Sequence, residues 1–172
     1  MSSKSKTKGN NFEREISTYL SDLYGLSFLR VPNSGAYVGG LNAQRRATLA
    51  AGQIKTFRGD IIPPDDCTTV IECKHYADFP FHSLLKTNTP IALLNEWINE
   101  VETDAGQDFW LLFFKVSRKG TFVCWHTKYF KLAHPKITYL QNYHISELEE
   151  FFSKNKIHVE EYMRTVNYGI KS

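Results

Sequence analysis

Eight residues near the middle of the chain, Phe109–Val116 (FWLLFFKV), constrain its fold more than any other stretch. A strand with one face in water alternates apolar and polar residues, and this run does not alternate. It reads as a strand buried on both faces, which needs one layer of structure above it and another below. A chain of 172 residues, 42% hydrophobic and 23% charged, can supply those layers within one compact domain, and this composition excludes wholesale disorder.

The surrounding periodicities predict the layers. Residues 1–10 are polar and basic and read as a flexible arm. Phe12, Ile16, Tyr19, Leu20 and Leu23 recur at helical spacing, predicting a helix over about Asn11–Tyr24 that stops at Gly25. Leu26–Val31 reads as a short strand ending in the turn Pro32-Asn33-Ser34-Gly35. Residues 36–58 are small, glycine-bearing and basic, with a short helix expected over Leu41–Ala51. Asp60-Ile61-Ile62 and Thr68–His75 read as the two strands of a hairpin about Pro63–Asp66. Ile91–Glu102 places Ile91, Leu94, Trp97, Ile98 and Val101 on one helical face. Ser117–Gly120 turns the apolar run into a further strand, Thr121–His126. Ser146 with Glu149 forms a capping box that opens a helix, and a second helical stretch covers about His158–Val166. This order predicts a central mixed sheet flanked by helices, in the α/β or α+β class. Residues 11–130 form the expected core, with an insertion at about 36–58, and 131–172 a helical extension of the same domain.

Charge and cysteine usage narrow the function. Residues 1–58 carry nine Lys/Arg against three Asp/Glu, whereas residues 59–172 carry twelve against fifteen. That asymmetry suits a polyanionic partner, although a solvated basic tail accounts for part of it. No apolar run approaches the ~20 residues that span a bilayer, and the first residues lack a signal-peptide core. Cys67, Cys73 and Cys124 are odd in number with no CxxC pair, as expected for reduced thiols in a cytoplasmic setting. The absence of GxxxxGK[ST], HExxH and GxSxG argues against nucleotide-driven work, zinc proteolysis and serine hydrolysis. The six histidines are scattered without ligand spacing, and Cys73 with His75 makes only two ligands of a soft-metal site.

The chemistry-bearing residues gather on one hairpin. In Thr68–His75 alternation puts Val70, Glu72 and Lys74 on one side and Ile71, Cys73 and His75 on the other. A carboxylate and an ammonium projecting together from a central strand need a partner or a metal. Asp60 opens the preceding strand and falls opposite Glu72 if the two pair. Two carboxylates at one strand end form a hard-oxygen site suited to Mg²⁺. A lysine beside it can orient or deprotonate the attacking water. The alternative is a buried Glu–Lys ion pair tying two strands together. Glu13 falls within the apolar arc of the first helix, either at its rim or held there for a purpose, while Glu15 falls outside it.

Four segments together resemble a known family. Lys8-Gly9-Asn10-Asn11-Phe12-Glu13-Arg14 resembles the KGxxxER opening of archaeal-type Holliday junction resolvases, and Leu29–Gly35 is similar to their R-x-P-x-S-G segment. Gly59-Asp60-Ile61-Ile62 and Ile71-Glu72-Cys73-Lys74 resemble the PDII and IExK elements of the PD-(D/E)xK nuclease signature. The segments keep the family's order over about residues 8–126. Gly59 stands where the signature has Pro, residues 36–58 are longer than the family's loop, and 130–172 carries no resemblance.

The resemblance implies a restriction-endonuclease-like fold and a Mg²⁺-dependent endonuclease, with Mn²⁺ as a substitute, acting as a homodimer with two sites. It implies Glu13, Asp60 and Glu72 as metal-binding acids and the Cys73 backbone carbonyl as a further ligand. Lys74 then positions water, and Ser34 lies near the scissile phosphate. Lys8, Arg14, Arg30, Arg45, Arg46, Lys55 and Arg58 are the expected contacts to DNA, with Arg14 and Arg30 alternatively holding the fold. The resulting expectation is an endonuclease that cuts branched DNA, four-way junctions above all, with no membrane and no nucleotide cofactor. Other readings are a nuclease of the same superfamily acting on ends or duplex, a non-catalytic DNA-binding module of this fold, and a scaffold whose ion pairs are structural.

Overall fold

The computed structural model describes residues 3–31, 58–86, 89–129 and 137–164. The turn at Pro32–Gly35 with Ser34, the helix expected over Leu41–Ala51, and Arg45, Arg46 and Lys55 lie outside the described residues.

Helix α1 spans Ser3–Tyr24 and buries Phe12, Ile16 and Leu20. It begins at Ser3, so eight of the ten residues read as an arm are helical backbone. Those residues show no apolar period, which is why periodicity does not find them. Strand β1 is only Leu29–Arg30, shorter than the expected Leu26–Val31. Strand β2 (Ile61–Ile62) pairs with β1 and, through Ile61↔Ile71, antiparallel with β3 (Val70–Tyr76), giving the expected hairpin.

Strand β4 (Trp110–Val116) runs parallel to β3 from Val70↔Trp110 to Tyr76↔Val116. A parallel neighbour requires a crossover. Here it contains a short 3-10 turn, Phe81–Leu85, and helix α2, Ala92–Ala105. Leu94, Trp97, Ile98, Val101 and Ala105 of α2 are buried against the sheet. Strand β5 (Gly120–His126) returns antiparallel to β4.

The C-terminal segment is not a helical extension. It adds strands β6 (Ile137–Tyr139) and β7 (Tyr143–Glu147), then one helix, α3 (Leu148–Arg164). Strand β7 pairs with β5, giving a seven-stranded mixed sheet of order β1-β2-β3-β4-β5-β7-β6. Ser146 lies within β7 opposite Val123, so the expected capping box does not form, and the two helical stretches are a single helix. The β6–β7 turn is hidden in the sequence because Leu140 and Gln141 take positive φ without a glycine to announce it.

The sandwiching of β4 follows the sequence. Phe113 meets Phe152 of α3 at 6.2 Å between ring centroids, and Phe114 meets Trp97 of α2 at 5.8 Å. Trp110 through Phe114 are all buried. Helices α1 and α3 therefore cover one face, meeting through Tyr19 and Phe152, and α2 covers the other. No described helix is long and apolar enough to cross a membrane.

Candidate active site

Strand β3 climbs out of the core along its length: Val70–Cys73 are buried, Lys74 and His75 half-buried, and Tyr76 exposed. Because β2 contributes only one pair to it, the outer half of β3 has no strand beside it on that side among the described residues. The candidate site forms at this step from core to surface.

Asp60 is fixed at the step by its backbone. Gly59 adopts φ of 71°, and a Cβ there would lie 2.5 Å from the Ile71 carbonyl oxygen. Only glycine fits this close, left-handed approach. Proline, with φ near −65°, is excluded, so this chain's departure from the signature is imposed by its own backbone. The Asp60 N–H donates to the Ile71 carbonyl at 2.8 Å, and its carbonyl accepts from Val31 N–H at 2.9 Å. Its Oδ2 accepts the Cys73 N–H at 2.9 Å. Continuing the Ile61↔Ile71 register by one step places Asp60 across from Glu72.

Glu72 is 5% exposed, and its Oε1 lies 2.7 Å from Lys74 Nζ. That ammonium also donates to Glu100 Oε2 of α2 at 2.6 Å. Burial and the nearby negative charge of Asp60 push the Glu72 carboxyl well above the usual range, against the pull of Lys74. Burial alone would lower Lys74, but the carboxylates of Glu72 and Glu100 outweigh it and hold the ammonium protonated.

Glu13 reaches the same neighbourhood from α1. It is 7% exposed and accepts a hydrogen bond from Arg30 Nε, while Arg30 Nη2 donates to Asn10 Oδ1 at 2.8 Å. Burial and Asp60 raise its carboxyl, and Arg30 opposes them. Glu15, by contrast, is exposed and pairs with Lys115 at 2.6 Å, as its place outside the apolar arc predicts.

Three buried carboxylates thus repel one another through Asp60. Among the described residues, no group of three or more His, Cys, Asp or Glu forms a ready metal cage. Asp60 and Glu72 are the pair brought together, whereas Glu13 is engaged by Arg30. Asp60 Oδ1 and Glu72 Oε2 make no hydrogen bond among the described residues. Two hard, mutually repelling oxygens suit Mg²⁺, which takes one or two carboxylates and keeps several waters.

The remaining predicted residues divide cleanly. Arg58 is tied to Asp108 Oδ2 at 2.5 Å and to the Ala105 carbonyl at 3.3 Å. Arg30 holds α1 through Glu13 and Asn10. Both are occupied within the protein. Lys8 and Arg14 are exposed. The Cys73 thiol is buried and its pKa is driven far up by burial, and His75 instead faces the Lys8 carbonyl and Ser117 hydroxyl, so the two do not make a soft-metal pair. Sequence reasoning missed Glu100 and Asn10. Glu100 borders the apolar face of α2, but nothing in sequence links it to a lysine 26 residues earlier across a crossover.

Comparison with known protein families reaches the level of the superfamily. A family model described as "Phage putative PDDEXK endonuclease" matches residues 4–167, which takes in most of the C-terminal segment that the four resolvase-like motifs leave uncovered. Searches of curated proteins and of solved structures found no match. The match supports the PD-(D/E)xK superfamily and not its archaeal-type resolvase branch, and the seven-stranded mixed sheet with three described helices is consistent with a restriction-endonuclease-like α/β fold. The chain therefore belongs to this phage PDDEXK endonuclease family, within the PD-(D/E)xK nuclease superfamily.

Proposed function

We propose that the chain is a Mg²⁺-dependent DNA endonuclease that cuts branched DNA, four-way junctions above all. The observation that carries the nuclease reading is the meeting of Asp60, Glu72 and Lys74 where β3 leaves the core, with one oxygen of each carboxylate making no hydrogen bond among the described residues. The motif order shared with junction resolvases supports the branched substrate. Asp60 and Glu72 would hold the Mg²⁺, with Glu13 and the Cys73 carbonyl beside them; Mn²⁺ has the same oxygen preference. Bound there, the ion supplies Lewis-acid polarisation of a phosphate oxygen and a more acidic water.

The chain's own groups do the rest. Without metal, Glu72 and Glu100 favour the protonated form of Lys74, which suits it to orient the attacking water or a phosphoryl oxygen as a donor. Asp60, held by the Cys73 N–H, presents a carboxylate that does not need to reorganise. Ser34 is assigned to the scissile phosphate on the resemblance alone. Two copies related by a twofold axis would offer two sites to the opposed strands of a junction, which supports a homodimer. Three buried cysteines outside any disulfide support residence in a reducing compartment such as the cytoplasm.

The test incubates labelled four-way junction, linear duplex and single strands with the protein, in Mg²⁺ or in chelator. The proposal expects paired cuts in the junction, far slower attack on duplex, and none in chelator. Equal attack on duplex replaces the branched substrate with an end- or duplex-directed one. No cutting of any substrate leaves a DNA-binding module and removes the enzyme reading.

A further inference from the structure

Of the basic residues expected to hold DNA, Arg30 and Arg58 are engaged in internal pairs. The structure supplies other cations beside the site. The β4–β5 turn, Ser117–Gly120, is pinned to the end of the strand that carries Glu72 and Lys74. Ser117 N–H donates to the Tyr76 carbonyl at 3.0 Å, and Lys119 N–H closes the turn onto Val116 at 2.9 Å. Arg118 sits at φ of 63°, is exposed, and makes no hydrogen bond or ion pair among the described residues.

His75 draws a second basic element to the same place. Its Nδ1 lies 3.4 Å from the Lys8 carbonyl oxygen and its Nε2 lies 3.2 Å from the Ser117 hydroxyl. The exposed Lys8 of α1 therefore flanks the turn. Lys119 pairs with Asp78 at 2.6 Å and lies over the Phe81 ring at 5.7 Å, but its side chain is about half exposed and that of Asp78 largely in water. Such a pair is worth little, so Lys119 can exchange Asp78 for a phosphate at small cost. Tyr76 is four residues beyond Glu72, about 13 Å at roughly 3.3 Å per residue. That is the span of about four base pairs of duplex.

We propose that Arg118 and Lys119 of the β4–β5 turn, flanked by Lys8, form a contact to the DNA phosphate backbone next to the cleavage site. The inference rests on the nuclease reading and adds a surface that the motifs do not include. The contact is electrostatic and reads no bases, because Arg118 and Lys119 project from a surface turn and not from an element that enters a groove.

Fluorescence anisotropy of labelled duplex in Ca²⁺ tests it, using wild type, Arg118→Ala, the double Arg118→Ala/Lys119→Ala, Arg118→Lys, and Lys154→Ala on α3. Removing one phosphate-binding cation should lower the ratio of Kd at about 200 mM salt to Kd at about 50 mM salt roughly 3.5-fold. The expected fall is thus about 3.5-fold for Arg118→Ala and about 12-fold for the double variant. Arg118→Lys and Lys154→Ala should keep the wild-type ratio. Wild-type ratios in the alanine variants, or an equal fall in Lys154→Ala, overturn the inference and leave the nuclease reading standing. Failure of the wild type to bind duplex or junction at any salt overturns the nuclease reading itself. Circular dichroism of each variant separates weaker phosphate binding from unfolding.

Discussion

Replacing Gly59 by alanine should damage the chain more than the same change at Gly25, although both adopt a positive φ. Their φ values are 71° and 64°. Left-handed backbone costs an alanine about 1–2 kcal/mol wherever it occurs. At Gly25 an added Cβ meets nothing within 4 Å, so that cost is the whole effect. At Gly59 the Cβ would also lie 2.5 Å from the Ile71 carbonyl oxygen and 3.1 Å from Val70 Cγ1. Neither is the far end of a flexible chain, so β2 must move away from β3 at about 1–3 kcal/mol more. For a chain of this size each kcal/mol shifts Tm by roughly 2–4 °C. Thermal melts should then show a loss of about 4 °C for Gly25→Ala and about 10 °C for Gly59→Ala. The shift also carries Asp60 off the Cys73 N–H, so cleavage should fall further in Gly59→Ala than in Gly25→Ala. Equal Tm losses in the two variants would refute the close approach as the device that places Asp60.

Glu100→Ala should lower kcat by up to about 10²-fold with little change in KM, because Lys74 loses the partner that fixes its ammonium. Glu100→Gln, which keeps an acceptor, should recover most of that rate. Tm should hardly move, since Glu100 is half exposed and an exposed pair adds under about 1 kcal/mol. The metal-free protein should lose stability as pH rises above the usual carboxylate range. Glu13 and Glu72 have folded pKa values raised above their unfolded ones, so the folded state holds extra protons that it gives up only as pH rises through those raised values. Melts across that window should show a shallower decline in Glu72→Gln, and Mg²⁺ at the upper end should restore Tm in wild type alone.

The β-sheet at the centre was legible because FWLLFFKV admits no one-sided strand, and the hairpin because β-branched residues flank a proline turn. Asp60, Glu72 and Lys74 were legible by register: alternation puts Glu72 and Lys74 on one side, and pairing brings Asp60 across. The start of α1 was not, because a helix of lysine, serine and threonine has no apolar period to display. Nor was β6, whose turn uses Leu140 and Gln141 in a conformation normally signalled by glycine or asparagine. Residue type alone could not show which arginines are free. Arg30 and Arg58 look like phosphate ligands in sequence, and each is claimed by a carboxylate that only the fold brings near.

The most direct test of the central claim, that Asp60, Glu72 and Lys74 are one hydrolytic site, is the single-turnover cleavage rate of junction DNA in Mg²⁺. Wild type is compared with Asp60→Asn, Glu72→Gln and Lys74→Met, each checked by circular dichroism for its fold. Every variant should stay folded, still bind the junction, and lose cleavage by at least about 10²-fold. Folded variants that cut at the wild-type rate would contradict the claim.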